Sequence, residues 1–363
     1  MSLVHRIVRS AFVVALLLLA PLAASAQDIN ALAAKAKGQK LLVITPGEDA
    51  WGLVLGVFAK KFDVDVDQSV MRPSVALPRI QTEQKNGQFV WDIWMGGTSN
   101  MVSTAVPAGL LDPMEPYFIL PEVKDVSNWR HPDYIFNDAG HHAFAHVNRL
   151  DFFAYRNTAN MPDVKVETWQ DLLNPKLKGM ISLREMSVPN TGSFTIATMY
   201  KALGADALRK FLKEQDLHIY DNIQQLENAL SRGNQVLSIG TESFTWDKCR
   251  SEGGCKTIET VRPFGVVISN GLAVVKNPPH ADAVRLWVNW FLSKEGQEEW
   301  VKDWARDNTT GAISMRKDVP PAPGHESSQP DFSKADQYLF VSSEKGAREM
   351  DETIKIYKDV TGR

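Results

Sequence analysis

TIETVRPFGVVISNGLAVVKNPPHADAVRLWVNWFLSKEGQEEW, residues Thr257 to Trp300, holds two kinds of element with a clear stop between them. Leu272, Ala273, Val274 and Val275 make a short apolar run. Lys276-Asn277-Pro278-Pro279 ends it, because proline lacks the N–H that a ladder needs and turns its predecessor away from helix. The run reads as a strand and a turn. From His280 onward Ala283, Leu286, Trp287, Trp290 and Phe291 recur at spacings of three and four, one apolar stripe of a helix. Ser293 precedes a second, shorter helix with Trp300 on its apolar face.

The same alternation continues toward the N-terminus. KLLVIT, Lys40 to Thr45, stops at Pro46-Gly47 and leads into a helical pattern of Trp51, Leu55 and Phe58. Asp63 to Val70 reads as a second strand, Ala76 to Asn86 as a helix, and Phe89 to Met95 as a third strand entering the small-residue loop Gly96 to Asn100. Further on, Met180 to Leu183 and Val236 to Gly240 read as strands, with helices at Phe194 to Leu203, Ala205 to Glu214 and Asn222 to Gly233. Strands that alternate with helices mark an α/β protein. The histidine-rich run HHAFAHVNRLDFFAYRN predicts strands; in that geometry His142 and His146 share a face while His141 points the other way, which disfavours a three-histidine metal site.

Composition narrows the class further. The chain has 363 residues, 44% hydrophobic and 23% charged, with a formal net charge of -3. A nucleic-acid partner would want a basic face. Residues 1–26 carry His5, Arg6 and Arg9, an apolar run from Ala11 to Ala20 and Ala24-Ser25-Ala26, the pattern of a cleaved secretory signal peptide. A mature start near Gln27 and a soluble exported protein are expected. The two cysteines, Cys249 and Cys255, lie in CRSEGGC; an oxidising compartment favours a disulfide over a metal pair that would need two more ligands.

Several segments carry a resemblance. V-K-N-x-P-H followed by L-S-K-E-G-Q, T-W-x-D-L-L-x-P-x-L-K-G at 168–179, Thr309 to Ser314 and R-x-D-V at 316–319 resemble the bacterial extracellular solute-binding proteins that serve ABC transporters. Within them the chain is most similar to the group of periplasmic ferric-iron binders and their relatives for small organic anions. The resemblance implies a type II periplasmic binding protein: two α/β lobes with mixed sheets flanked by helices, joined by a hinge of crossing segments. It divides the chain into 27–150, mainly the first lobe, a crossover at 151–180, a second lobe at 181–265, and a return to the first lobe with C-terminal helices at 266–363. It also implies a periplasmic monomer that takes no cofactor, captures a small solute and docks on a permease in the inner membrane.

Candidate solute contacts sit where strands end, since open α/β sheets hold ligands at carboxyl ends. On the first lobe these are Thr45, Gly47, Glu48 and Trp51, then Gly97, Thr98 and Ser99. On the second they are Arg184, Thr191, Gly192, Ser193, Glu242, Phe244 and Trp246. Glu48 equally suits a helix N-terminus and Trp51 a core. Free N–H groups at Gly192 and Ser193, together with Arg184, favour an anionic group; Trp51, Phe244 and Trp246 suit an apolar or ring portion. The iron-binding relatives carry adjacent tyrosines where Phe244 and Thr245 stand, so the expected solute is a small organic anion rather than a metal. A metal-ion binder and a secreted hydrolase are the alternatives, although G-x-S-x-G, H-E-x-x-H, P-loop and C-x-x-C signatures are all missing from the sequence.

Overall fold

The computed structural model describes residues 29–363 apart from 162, 263–264 and 308–310. The proposed signal peptide, Pro263-Phe264 and Thr309-Thr310 therefore lie outside the described residues. Two sheets organise the rest.

The first sheet has the order β12-β11-β3-β1-β2. Its strands are β1 (Lys40–Thr45), β2 (Asp65–Val70), β3 (Ile93–Gly97), β11 (Gly265–Val275) and β12 (Leu339–Phe340), with β4 (Leu111–Asp112) and β5 (Phe144–Phe152) also paired to β11. β1 runs parallel to β2 and β3, while β11 is antiparallel to β3 and β5. The second sheet has the order β10-β6-β9-β7-β8. It comprises β6 (Ala154–Asn157), β7 (Ile181–Arg184), β8 (His218–Tyr220), β9 (Leu237–Ile239) and β10 (Ile258–Thr260). Only Phe153 separates β5 from β6, and the chain returns between β10 and β11, so two neighbouring segments cross from sheet to sheet.

Helices α1 (Asp49–Phe62), α2 (Pro73–Lys85), α6 (Ala281–Leu292) and α7 (Lys294–Asp307) cover the first sheet; α3 (Thr191–Glu214), α4 (Ile223–Ser231) and α5 (Ser243–Ser251) belong with the second. The stripe read in α6 is entirely buried. Trp287 stacks on Phe291 at 4.9 Å and meets Phe58 of α1 edge-on at 5.0 Å, arrangements that add to the burial of large apolar area. Asn289 stands inside this stripe for a reason that hydropathy hides. Its Oδ1 accepts from the backbone N–H of Ile119 and of Leu120, both at 2.8 Å, and its Nδ2 donates to the carbonyls of Tyr117 and Arg285. Arg316 of R-x-D-V is likewise buried: it forks onto Asp318 at 2.8 and 2.9 Å and donates to the carbonyl of Leu292, closing the end of α6.

The structure corrects several local readings. β3 starts at Ile93 rather than Phe89, because Asp92 turns inward to accept from the N–H of Leu42 and from both the backbone and Nδ1 of His280. His141 and His142 precede the strand instead of lying in it: His141 has φ 57 and pairs with Glu115, and His142 pairs with Asp138. The helices read at 194–203 and 205–214 form one element, α3, broken at Gly204 by φ 81 and ψ 179. Trp169–Leu173 is a 3-10 helix behind a capping box of Thr168 and Asp171. Within 320–330, Ala322, His325, Ser328 and Pro330 are buried and Ser328 Oγ accepts from the N–H of Gly311. The C-terminal segment forms α8 (Glu344–Thr361), which lies along α3; Thr353 and Tyr357 are fully buried, so the helix completes the second core.

Replacing Asn289 by leucine leaves two buried N–H groups and two carbonyls without this partner. The expected cost is about 3 kcal/mol in urea unfolding at neutral pH; a loss below roughly 1 kcal/mol would remove this account of the buried asparagine.

Candidate functional site

The parallel strands β1 and β3 end side by side, and the loops beyond them line a cavity of about 290 Å³ together with β11 and α7. Its lining includes Pro46, Glu48, Trp51, Gly97, Ser99 and Asn270. Glu48 is exposed at the start of α1, and its Oε2 accepts from Trp51 Nε1 at 3.2 Å. Trp51 packs on Trp300 at 4.4 Å, with Trp304 6.0 Å away, so the cavity wall is the outer surface of the aromatic core. His146 lies in the same layer, 4.7 Å from Trp300; its burial pushes the imidazole down to about 3, which leaves it neutral at physiological pH. A larger groove of about 910 Å³, beside Arg130, Lys317 and Phe332, is away from these strand ends.

The candidates of this first wall divide by exposure. Gly47 and Glu48 are exposed, Gly97 too, and Ser99 is half-buried. Thr45 and Thr98 are fully buried: Thr45 Oγ1 accepts from Gln68, and Thr98 Oγ1 donates to Asn137 Oδ1 at 2.6 Å. Ser99 Oγ meets Ser342 Oγ at 2.9 Å, a link from the cleft loop to the segment between β12 and α8.

The second wall is built on the ends of β7 and β9. Arg184 Nη1 donates to Thr191 Oγ1 at 2.7 Å and to Glu242 Oε1 at 3.3 Å, and Thr191 Oγ1 donates to the carbonyl of Gly240 at 2.6 Å. Gly240 has φ +101, and a Cβ there would come within 2.6 Å of Arg184 Cβ and 2.9 Å of Gly192 Cα. This close approach draws Arg184, Thr191, Gly192 and Glu242 together. It also corrects the expectation of free donors. Asn190 Oδ1 accepts from the N–H of Gly192 at 2.8 Å and of Ser193 at 3.3 Å, while Ser193 Oγ accepts from the N–H of Asn190, so α3 caps itself. Ser193 is fully buried, and Trp246 is buried with its Nε1 on Thr241 Oγ1. The side chain of Phe244 lies outside the described residues.

Glu242 has its carboxyl held above the usual range, first by burial, opposed by Arg184 and reinforced by Asp151. Asp151, at the end of β5, accepts from Arg149 at 3.2 Å, so the crossing strand brings a second carboxylate toward this wall. Sequence reading missed Asn270, Asn100, Pro73 and Trp304 as cavity-lining residues, and Asp151 and Glu227 as charges beside Glu242. Asn270 had one local signal, since it precedes Gly271, where the β5–β11 register shifts.

Among the described residues no group of three His, Cys, Asp or Glu side chains is arranged to hold a metal ion. Cys249 and Cys255 are bonded to each other, with Cα atoms 5.7 Å apart.

Two outcomes test this wall. Gly240→Ala combines a positive φ with backbone contact and is expected to cost about 3 kcal/mol of unfolding free energy. Because the folded state raises the pKa of Glu242, that group supports the fold most at low pH and withdraws support as pH rises through its folded value. Glu242→Gln is therefore expected to raise the melting temperature of the unliganded protein at pH 7, with the difference shrinking toward pH 4; a lower melting temperature at pH 7 contradicts the assignment.

Comparison with known proteins bears on the family and the fold. The family model described as bacterial extracellular solute-binding protein matches residues 129–323. An uncharacterized protein of Haemophilus influenzae is 26% identical over 280 residues, covering 73% of this chain and 76% of that one. Among solved structures, a Trichodesmium protein (IdiA, FutA) in complex with iron and citrate superposes with a TM-score of 0.65 at 16% identity, over 89% of this chain and all of that one. The periplasmic binding protein AfuA from Actinobacillus pleuropneumoniae, with fructose-6-phosphate bound, gives 0.57 at 21% identity, over 89% of this chain and 98% of that one. The fold is that of the two-lobed periplasmic binding proteins, and the chain belongs to the bacterial extracellular solute-binding protein family.

Proposed function

We propose that the protein is the periplasmic solute-binding component of an ABC importer, a monomer that captures a small organic solute between its two walls and hands it to a permease in the inner membrane. The observation that carries the reading is the placement of strand-end loops: β1 and β3 in one sheet, β7 and β9 in the other, joined by adjacent crossing strands about which the walls can close. The Cys249–Cys255 bond agrees with an oxidising, exported setting.

The fold does not choose the solute, since the superposed proteins hold iron with citrate in one case and a sugar phosphate in another. An aromatic-walled cavity with a few polar groups supports an organic solute over a bare ion. The anion read from the sequence rested on Gly192 and Ser193, whose N–H groups are engaged by Asn190, and on Arg184, whose Nη1 is engaged by Thr191 and Glu242.

Small-angle scattering and thermal unfolding with the small-molecule fraction of a bacterial extract test the function. Capture is expected to reduce the radius of gyration and to stabilise the protein, by about 2.7 kcal/mol at a solute concentration a hundredfold above Kd. Failure to close with any fraction, or turnover of a solute by the purified protein, would overturn the reading.

A further inference from the structure

We infer that Asn270 is the specificity-determining residue of the cavity, its carboxamide reading a solute group that both donates and accepts a hydrogen bond, a hydroxyl or an amide. This rests on the solute-binding reading above and adds the residue that discriminates and the group it discriminates for. Asn270 lies on β11, the strand that arrives from the second sheet, and lines the cavity beside Gly97, Ser99 and Asn100. Its backbone is flanked on both sides, by Gly97 of β3 and by Val147 of β5. The register shift falls between Asn270 and Gly271, where a Cβ would come within 2.1 Å of the carbonyl oxygen of Phe144 and 2.6 Å of Thr98 Cγ2. Such an irregularity re-aims a side chain, and a glycine with no room for a Cβ keeps this one in place.

Asn270 differs from the polar residues around it in having no partner. Ser269 Oγ donates to Asn148 Oδ1 at 2.6 Å, Asn148 Nδ2 donates to the carbonyl of Tyr134, Thr98 Oγ1 donates to Asn137 Oδ1, and Ser99 Oγ meets Ser342 Oγ. Half-buried Asn270 has no side-chain hydrogen bond to any described residue. A solute that enters strips water from this amide, so one that offers neither donor nor acceptor leaves both ends of it unmet. The rest of the lining favours an uncharged group at this point. It includes no lysine or arginine, and Glu48, its one acid, stands exposed with Oε2 accepting from Trp51 Nε1, where water and salt screen its charge. A hydroxyl or an amide can satisfy Oδ1 and Nδ2 of a single carboxamide together.

The test takes the small-molecule extract fraction that stabilises the wild type and adds it in a dilution series to wild type, Asn270→Ala and Asn270→Asp. Without solute, Asn270→Ala should melt as the wild type does, because the side chain it removes bonds to nothing in the fold. At neutral pH each variant should need roughly tenfold more of the fraction for the same shift. Near pH 4, where a protonated carboxyl again offers one donor and one acceptor, Asn270→Asp should regain binding relative to the wild type at that pH, and Asn270→Ala should not. Mass spectrometry of the solute released by unfolding the wild-type complex should find a hydroxyl or an amide. Undiminished binding by Asn270→Ala, a lower melting temperature of that variant without solute, equal loss by Asn270→Asp at both pH values, or a released solute with neither group overturns the inference and leaves the solute-binding reading standing. An extract of which no fraction closes or stabilises the wild type overturns both.

Discussion

The antiparallel ladder between β5 and β11 is the contact from which the remaining architecture follows. It pairs Gly265 with Phe152 at one end and Leu272 with Phe144 at the other, and each strand continues into the second sheet after a very short connection. A pairing this long fixes the position of both sheets at their junction, since a slip of one residue would turn every side chain to the opposite face. The register shift at Asn270 and Gly271 is the place where the ladder yields: a side chain at Gly271 would run into the carbonyl of Phe144. Asn270 is thereby turned toward the cavity.

On either side of that junction the two halves are stabilised differently. The first relies on large rings, with Trp51, Phe58, Trp287, Trp290 and Trp300 forming one continuous layer from α1 through α6 to α7. Its cavity wall is the outer edge of that layer, so the wall is as rigid as the core behind it. The second relies on aliphatic packing around β7 and β9, completed by Ile356 and Tyr357 of the C-terminal helix. Its wall is held by a polar net of Arg184, Thr191, Glu242 and Asn190. One wall is therefore firm through packing and the other through hydrogen bonds whose members can exchange partners.

The fold was readable because its signals are local and repeated. The stripe of Ala283, Leu286, Trp287, Trp290 and Phe291 and the proline stop at Pro278 act within one turn of chain, and tertiary packing agrees with them. The site was readable only in part. Thr45, Thr98 and Ser193 are small polar residues at strand or helix ends, which sequence cannot divide into those facing a solute and those satisfying neighbours. Their partners, Gln68, Asn137 and Asn190, decide the matter, and two of these are distant along the chain. Asn289 and Arg316 were hidden in the same way, since a polar residue inside an apolar stripe makes sense only once the loop it ties down is known. The histidines were misread because His141 adopts a positive φ just before the strand, a backbone choice that alternation does not report.

The tight meeting of Gly240, Gly192 and Arg184 has a bearing on how such a protein changes its diet. No side chain fits at the first two positions without moving backbone, so the floor of the second wall is closed to gradual variation. The freedom lies across the cleft, where Glu48, Gly97 and Asn100 stand exposed on turns that enter no ladder beyond Gly97. Drift toward new nutrients, or a biosensor maker's library, would thus find its tolerant positions on the rim of the aromatic half, with the opposite face retained as a common anvil.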